Sequence, residues 1–468
     1  MKGLCMHPAE NYIRLEENKC IGCNHCIRVC PIETANIAYQ DASANIKVRI
    51  DPTQCILCGS CVDACEHAAR HIIDDTERFF QDLEAGVPIA LMAAPTVMTN
   101  IPEWKRLFTW LRRCGVTLIY DVSLGADICI WAHLRLLERT PKPIITQPCS
   151  AIVAYCERHR PELFPFLSPV HSPMACAAIY MRQAGIQENI ASLSPCIAKI
   201  VEHRSTQLVQ YSITFRQLYQ YLEEHKICLP DEESGLDHAR AGPGTLFPLP
   251  GGLRENIDFF TEKSLHIEKS EGATVLKHLD QYAATSAEYL PDILDVLYCA
   301  NGCLIGPATT KKQKLFTLLK QMQAVRSRVT SDLHHSRERL AEYDRQLRLE
   351  DFLRTYTAFP PKYPDVSETA IENAFMQMGK TNPDQRLVNC GACGSHACRA
   401  MARKIALNVN IPMNCIIAAR DEAQKGRERN AEYLALMQRM GDNLLSTIDE
   451  NYAAEIKDAL RRLSETVH

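Results

Sequence analysis

The chain holds 22 cysteines in 468 residues, and the spacing of most of them limits the chemistry it can do. Cys20, Cys23, Cys26 and Cys30 form a Cys-x-x-Cys-x-x-Cys-x3-Cys run, and the same spacing returns at Cys55, Cys58, Cys61 and Cys65. Two short Cys-x-x-Cys steps wrap a backbone around an iron-sulfur cubane so that its amides donate to the sulfurs, with a more distant thiolate completing the set. Zinc competes for any thiol quartet, but zinc sites rarely use four such closely spaced thiols twice over. A third set, Asn389-Cys390-Gly391-Ala392-Cys393-Gly394 followed by Cys398 and Cys415, offers four more thiols, with glycines that let the backbone approach a cluster; a zinc knuckle is its alternative. Three further segments carry cysteines far apart in sequence. They are Thr146-Gln147-Pro148-Cys149, Ser194-Pro195-Cys196-Ile197-Ala198-Lys199 with Glu202 close behind, and Cys299-Ala300-Asn301-Gly302-Cys303. Any one of these cysteines alone reads as a small buried hydrophobe. Together, four thiols in three loops after apolar segments can hold one cubane in an α/β core, with Pro148 and Pro195 stiffening the approach.

The N-terminal repeat has the bacterial ferredoxin spacing, in which the fourth cysteine of each run ligates the other cluster. Cys20, Cys23, Cys26 and Cys65 are therefore expected to hold one [4Fe-4S] cluster, and Cys30, Cys55, Cys58 and Cys61 the other. Pro31 follows the first run, whereas Glu66 stands where the second would have proline, which is expected to change the local turn and not the ligation.

Elements must position these thiols. The chain is 46% apolar, enough to bury a sizeable core, and about three domains of roughly 150 residues fit its length. Residues 1–80 read as a ferredoxin-type 2x[4Fe-4S] module. Residues 81–312 alternate strand-like runs (117–120, 143–146) with helical patterns (103–113), so the fold class expected is multi-domain α/β. The Pro- and Gly-rich span 229–252 reads as loop. Apolar residues at spacings of three and four over 313–356 predict a long helix, a linker over 313–360 in which coiled-coil packing is plausible, closed by Pro360-Pro361. A small [4Fe-4S] domain is expected over 361–425, with a helix near 397–407 over its cluster, and an amphipathic helical tail over 426–468. Lys and Arg number 52 against 56 Asp and Glu, a formal charge of -4 with 7% aromatics, which argues against a dedicated nucleic-acid binder. The longest apolar stretch, 87–98, is too short to span a bilayer. The first ten residues lack a signal-peptide core, so a cytoplasmic location is expected.

Taken in order, the three central cysteine segments resemble the signature segments of the [FeFe]-hydrogenases. The resemblance continues through Ala94-Pro95-Thr96, Leu124-Gly125-Ala126-Asp127, Pro161-Glu162-Leu163, Ser168, Ser172-Pro173 and Gly251-Gly252, and covers about residues 85–310. It implies that Cys149, Cys196, Cys299 and Cys303 hold the [4Fe-4S] part of an H-cluster, with Cys303 bridging to a two-iron subcluster carrying carbonyl, cyanide and a bridging dithiolate. Lys199 matches the family lysine that donates to a cyanide. The C-terminal cysteine set resembles the small [4Fe-4S] domain of corrinoid iron-sulfur proteins, of membrane electron-transport subunits and of sensory [FeFe]-hydrogenases.

The chain also departs from the family. Pro148 stands where highly active members place a proton-carrying cysteine. The acidic wire residues fall on His133 and Leu136, so His133 alone could titrate near neutrality, and Ser168 survives with few partners. Ser194 and Leu297 replace methionines, and Pro307 interrupts a glycine run. The resemblance thus implies a slow hydrogenase of the sensory type. Its substrates would be H2 and protons, its catalytic residues Lys199, Cys303, His133 and Ser168, and its electron partner ferredoxin or another redox protein. A signalling partner or a second copy would dock on the C-terminal helices. An ordinary ferredoxin-linked hydrogenase, and a non-catalytic cluster carrier or assembly factor, are the alternatives.

Overall fold

Runs such as Ile89-Ala90-Leu91-Met92-Ala93 are apolar at every position, the pattern of a strand buried on both faces, and they form parallel sheets. The structure, a computed structural model, describes residues 11–445 except 140–142, 147, 238–241, 311–312 and 360–362, and adds 455, 457–459 and 461–462. Gln147, Pro360, Pro361 and 17 of the 43 residues of the expected tail lie outside the described residues.

Seven strands organise the central region: β1 (Ile89–Ala93), β2 (Val116–Asp121), β3 (Ile144–Ile145), β4 (Asn189–Ser194), β5 (Tyr211–Thr214), β6 (Ile267–Glu271) and β7 (Ile293–Leu297). One parallel sheet has the order β2-β1-β4-β5, with Leu91 opposite both Ile119 and Ala191. The other has the order β6-β7-β3, with Ile293 opposite Ile267 and Ile144. Helices α1 (Ser123–Arg139), α2 (Ser150–His159), α3 (Pro173–Gln183) and α4 (Lys199–Thr206) follow β2, β3, the 161–172 segment and β4. The first eleven residues of α1, Ser123 through His133, are all buried. At Gly125 a Cβ would lie 2.0 Å from the Pro173 carbonyl oxygen, so only glycine lets α1 and α3 close on each other.

Residues 313–356 form two helices, α5 (Leu315–Thr330) and α6 (Leu333–Gln346), broken at Ser331-Asp332, and not one long helix. The partner of their apolar stripe is the α/β region and not another coil strand. Leu318, Met322 and Val329 share a core with Leu246, Leu249 and Leu304, and the Tyr343 ring meets Trp131 edge-on at 6.4 Å. Arg326 pairs with Glu255 at 2.6 Å, and Asp344 accepts from Arg135 at 2.6 Å and from Trp131 Nε1 at 2.7 Å. This segment is thus an integral layer of the α/β unit.

Two compact units result. The first comprises residues 1–36 and 48–364; the second comprises 37–47 and 365–468. In the first, an antiparallel pair joins Ile13–Leu15 to Arg70–Ile72 and closes the cysteine-rich repeat. Ile32, Ile56, Val62 and Ile72 of that repeat lie in one buried cluster with Ile152, Ile197 and Val296, so the repeat and the α/β region are packed together. In the second unit, helix Glu368–Gln377 packs on α7 (Cys398–Ala406) through Ile371, Phe375, Met401 and Ala402, and Ala38 N donates to the Val409 carbonyl at 3.1 Å. Helix α8 (Ile416–Leu445) continues from Cys415. Among the described residues, no helix is long and apolar enough to cross a membrane.

Candidate metal centre

Parallel strands deliver the dispersed cysteines to one place. Cys149 caps α2 just after β3, Cys196 lies between β4 and α4, and Cys299 and Cys303 follow β7, so all four stand beyond the carboxyl ends of strands, where α/β folds gather ligands. The tight turn between the last two depends on Gly302, whose φ of +59° puts a hypothetical Cβ 2.1 Å from the Pro248 oxygen. Cys303 N donates to that same oxygen at 2.8 Å. The four thiols sense one another. Burial first, then Cys149, pushes Cys196 up to about 11. Burial, then Cys196 and Cys149, pushes Cys303 up to about 12. Burial, then Cys149, Cys196 and Cys303, raises Cys299. Burial and mutual repulsion disfavour the thiolates of Cys196, Cys299 and Cys303; a bound cationic core removes that penalty, so the donor set fits a metal cluster.

Lys199 stands over this set as a buried amine. Its Nζ donates to the Pro148 carbonyl at 3.0 Å and to Glu202 Oε2 at 2.8 Å. Glu202 also accepts from Ser172 Oγ at 2.8 Å and lies 3.7 Å from Arg354. Burial alone would discharge both partners, but it is outweighed. Lys199 and Arg354 bring Glu202 down to about 2, and Glu202 with the nearby thiols holds Lys199 above its ordinary value. Lys199 is thus a fixed cation and not a solvated surface amine.

His133 and Ser168, the residues expected on a proton route, form a separate pair. His133 Nδ1 faces the Cys129 carbonyl at 2.8 Å and, since a carbonyl only accepts, must carry the hydrogen. In the neutral ring Nε2 then accepts from Ser168 Oγ, 3.0 Å away. Ser168 therefore has a titratable partner, more than the few its sequence context implied. Burial disfavours a charged His133; the Cys129 sulfur and carbonyl outweigh it and hold the ring above its usual pKa. Leu136, one turn on, supplies no polar atom to extend the pair. Asp127 works as scaffold: it accepts from Gly242 N and Gly244 N, both at 2.8 Å, and burial leads in raising it to about 6.

The other three quartets draw on shorter stretches of chain, each N-terminal one taking three thiols from one run and the fourth from the other. Cys20, Cys23, Cys26 and Cys65 line one cavity. Cys30 is pushed up to about 12 by burial and then by Cys58 and Cys55, and Cys61 is raised by burial with Cys55, Cys30 and Cys58 also acting on it. Cys390, Cys393, Cys398 and Cys415 line a cavity in the second unit, where the Asn389 side chain accepts from Cys398 N at 2.7 Å. Cys58 acts electrostatically on Cys299, and Ser60 Oγ meets the Tyr298 hydroxyl at 3.1 Å, so the N-terminal repeat and the central quartet adjoin.

The C-terminal domain of the iron-only hydrogenase large subunit matches residues 87–307, and a 4Fe-4S dicluster domain matches residues 12–75. Over these residues the chain is similar to the [FeFe]-hydrogenases. It is 28% identical over 281 residues to the periplasmic [Fe] hydrogenase large subunit of Nitratidesulfovibrio vulgaris, covering 52% of this chain and 66% of that one. To iron hydrogenase 1 of Clostridium pasteurianum it is 28% identical over 288 residues, covering 52% and 50%. To the cytosolic Fe-S cluster assembly factor NAR1 of Botryotinia fuckeliana it is 32% identical over 128 residues, covering 25% and 22%. The chain therefore aligns with less than two thirds of each relative's length.

Sequence reasoning missed Arg354, which pairs with Glu202 and with Glu157, both at 3.7 Å, from a stretch expected to be linker. It also missed Tyr356, whose hydroxyl donates to the Ser168 carbonyl, and Arg158, which donates to Pro52 O at 3.0 Å and to Cys55 O. No local spacing signals these residues, because each acts on a segment far away in sequence.

Proposed function

We propose that this hydrogenase-like chain is a slow, sensory [FeFe]-hydrogenase that interconverts H2 with two protons and two electrons. The observation that carries the reading is the convergence of Cys149, Cys196, Cys299 and Cys303 beneath the buried Lys199–Glu202 pair. Those four thiolates would hold a [4Fe-4S] cluster, Cys303 would bridge to a two-iron subcluster, and that group supplies the H2-cleaving chemistry when bound. Lys199 presents a permanent cationic donor suited to an anionic diatomic ligand, and Glu202 with Arg354 keeps it charged in a dry pocket. Pro148 has no proton to pass, so the step that a general acid or base would accelerate is unassisted at that position. Cys20, Cys23, Cys26 and Cys65, and Cys30, Cys55, Cys58 and Cys61, would hold two further [4Fe-4S] clusters able to take up electrons, with Cys58 and Cys299 marking where the N-terminal repeat adjoins the central quartet. Cys390, Cys393, Cys398 and Cys415 would hold a fourth cluster next to the C-terminal helix, where a signalling partner or second copy would read its redox state. Ferredoxin or a similar protein exchanges the electrons.

Two other readings have an observation each. The His133–Ser168 pair favours an ordinary ferredoxin-linked hydrogenase with another proton route, and the match to the assembly factor favours a cluster carrier. Infrared spectroscopy of anaerobically matured protein, followed by H2-uptake assays, separates all three. Carbonyl and cyanide bands with slow turnover support the proposal. The same bands with fast turnover indicate an ordinary enzyme, and their absence after maturation indicates a carrier.

A further inference from the structure

Arg70 lies on the inward face of its strand, opposite Leu15, and is 5% exposed. A guanidinium in such a place ordinarily has a carboxylate beside it, since an uncompensated buried charge is costly. Among the described residues it has none; its neighbours are one backbone oxygen and sulfur. Nη2 donates to the Val48 carbonyl at 3.0 Å, and Nη1 points at Cys61 Sγ at 3.8 Å. The same side chain lines the cavity of Cys20, Cys23, Cys26 and Cys65. One arginine therefore touches both quartets, Cys61 in one and the Cys26 and Cys65 side in the other. Its charge is also felt by all three of those thiols.

We propose that Arg70 is a shared cation that tunes both N-terminal clusters together, a positioning residue for electron transfer and not a ligand. The inference rests on cluster occupancy of these two quartets. Each cluster takes one electron from an external donor and gains one negative charge. A fixed positive charge in the low-dielectric space between them favours the reduced form of each, so both midpoint potentials are raised. The cation also offsets the repulsion between two reduced clusters, which makes the pair easier to fill with two electrons. The guanidinium suits this position because it stays charged and presents several donors in a fixed plane, reaching two sulfur sets at once.

The test is a dithionite titration of the full-length, cluster-loaded protein, followed by electron paramagnetic resonance, comparing wild type with Arg70→Gln and Arg70→Lys. Arg70→Gln should move both N-terminal midpoints to lower potential, leave the other clusters' midpoints in place and keep the iron content. Arg70→Lys, which keeps the charge and loses the fork, should give a smaller downward shift. If Arg70→Gln fails to retain its clusters, the neutral Arg70→Met variant decides: lowered midpoints of both N-terminal clusters support the proposal and wild-type midpoints overturn it. Retained clusters with unmoved midpoints, or with only one moved, also overturn it. Wild-type protein that takes up iron into neither N-terminal quartet would sink the occupancy reading itself, and the proposal with it.

Discussion

The N-terminal and central quartets present four thiols each, but one kind is written locally and the other only by the completed fold. Between Cys20 and Cys65, tight turns do most of the work: Gly22, Asn24, Leu57 and Gly59 all take positive φ, so the chain curls around three of the four thiols of each site within a few residues. Cys149, Cys196, Cys299 and Cys303 have no such shared loop. They meet beyond the ends of strands from both sheets, β3 and β7 in one and β4 in the other, and Lys199, donating to the Pro148 carbonyl and to Glu202, ties the Cys149 and Cys196 loops together. A contiguous site should thus tolerate damage that a dispersed site does not.

The sharpest break of that comparison is removal of one dispersed ligand. Four cubanes imply about sixteen irons before any two-iron group is added. Cys149→Ala should cost about four of them and all H2 turnover, while the spectra of the two N-terminal clusters persist. Iron analysis that returned the wild-type value would refute the central assignment.

Next in size is the ion lattice. Breaking a buried pair by neutralising one partner costs roughly 3–5 kcal/mol, so Glu202→Gln should lower the denaturant midpoint clearly. The pH dependence has a definite sign. The folded-state pKa of Glu202, about 2, lies below its ordinary 4.5, so its contribution is present above pH 4.5 and is lost as pH falls from 4.5 toward 2. The wild-type stability curve should fall across that window more steeply than that of Glu202→Gln; superimposable curves would contradict the pairing.

The same contrast explains what could be read without coordinates. The contiguous quartets were legible from spacing, and the α/β alternation from apolar runs such as 117–120, which became β2. The α5–α6 stretch was legible as helix but not in its role, because an apolar stripe states that something covers it and not what does. Leu318 and Tyr343 answer that through Leu246 and Trp131, residues far away in sequence. Arg354 was illegible for the same reason, and so was the hydrogen bond that gives Ser168 its histidine.

A smaller effect is expected at Pro148. A well-placed general acid or base contributes about 10²–10⁴-fold, and Pro148→Cys should recover only part of it, since Leu136 still interrupts the route beyond His133. Turnover of matured protein measures this directly. A rate equal to that of a fast hydrogenase would mean that a single thiol was all the relay lacked.

The smallest effect on clusters should come from the C-terminal helix, which tests whether a contiguous site is self-sufficient. Cys415 precedes α8, and among the described residues of that helix Ile416 lines the cavity of the four cysteines while Ile417 and Ala418 pack against the core that holds Cys393, Cys398 and Cys415. Further along, Tyr433, Leu436, Met437 and Met440 recur at helical spacing and remain 69, 51, 46 and 54% exposed, so this stripe does nothing for the cluster of its own unit. An exposed apolar stripe on a long helix is suited to a second helix, from a partner or from another copy of the chain. Deleting residues 430–468 should therefore leave iron content and carbon monoxide binding unchanged while abolishing self-association or partner binding, as read by light scattering and iron assay on one preparation. If the truncated protein instead loses the iron of Cys390, Cys393, Cys398 and Cys415 and keeps its oligomeric state, the helix is part of the cluster's support. The contiguous quartet would then depend on distant chain as much as the central one does.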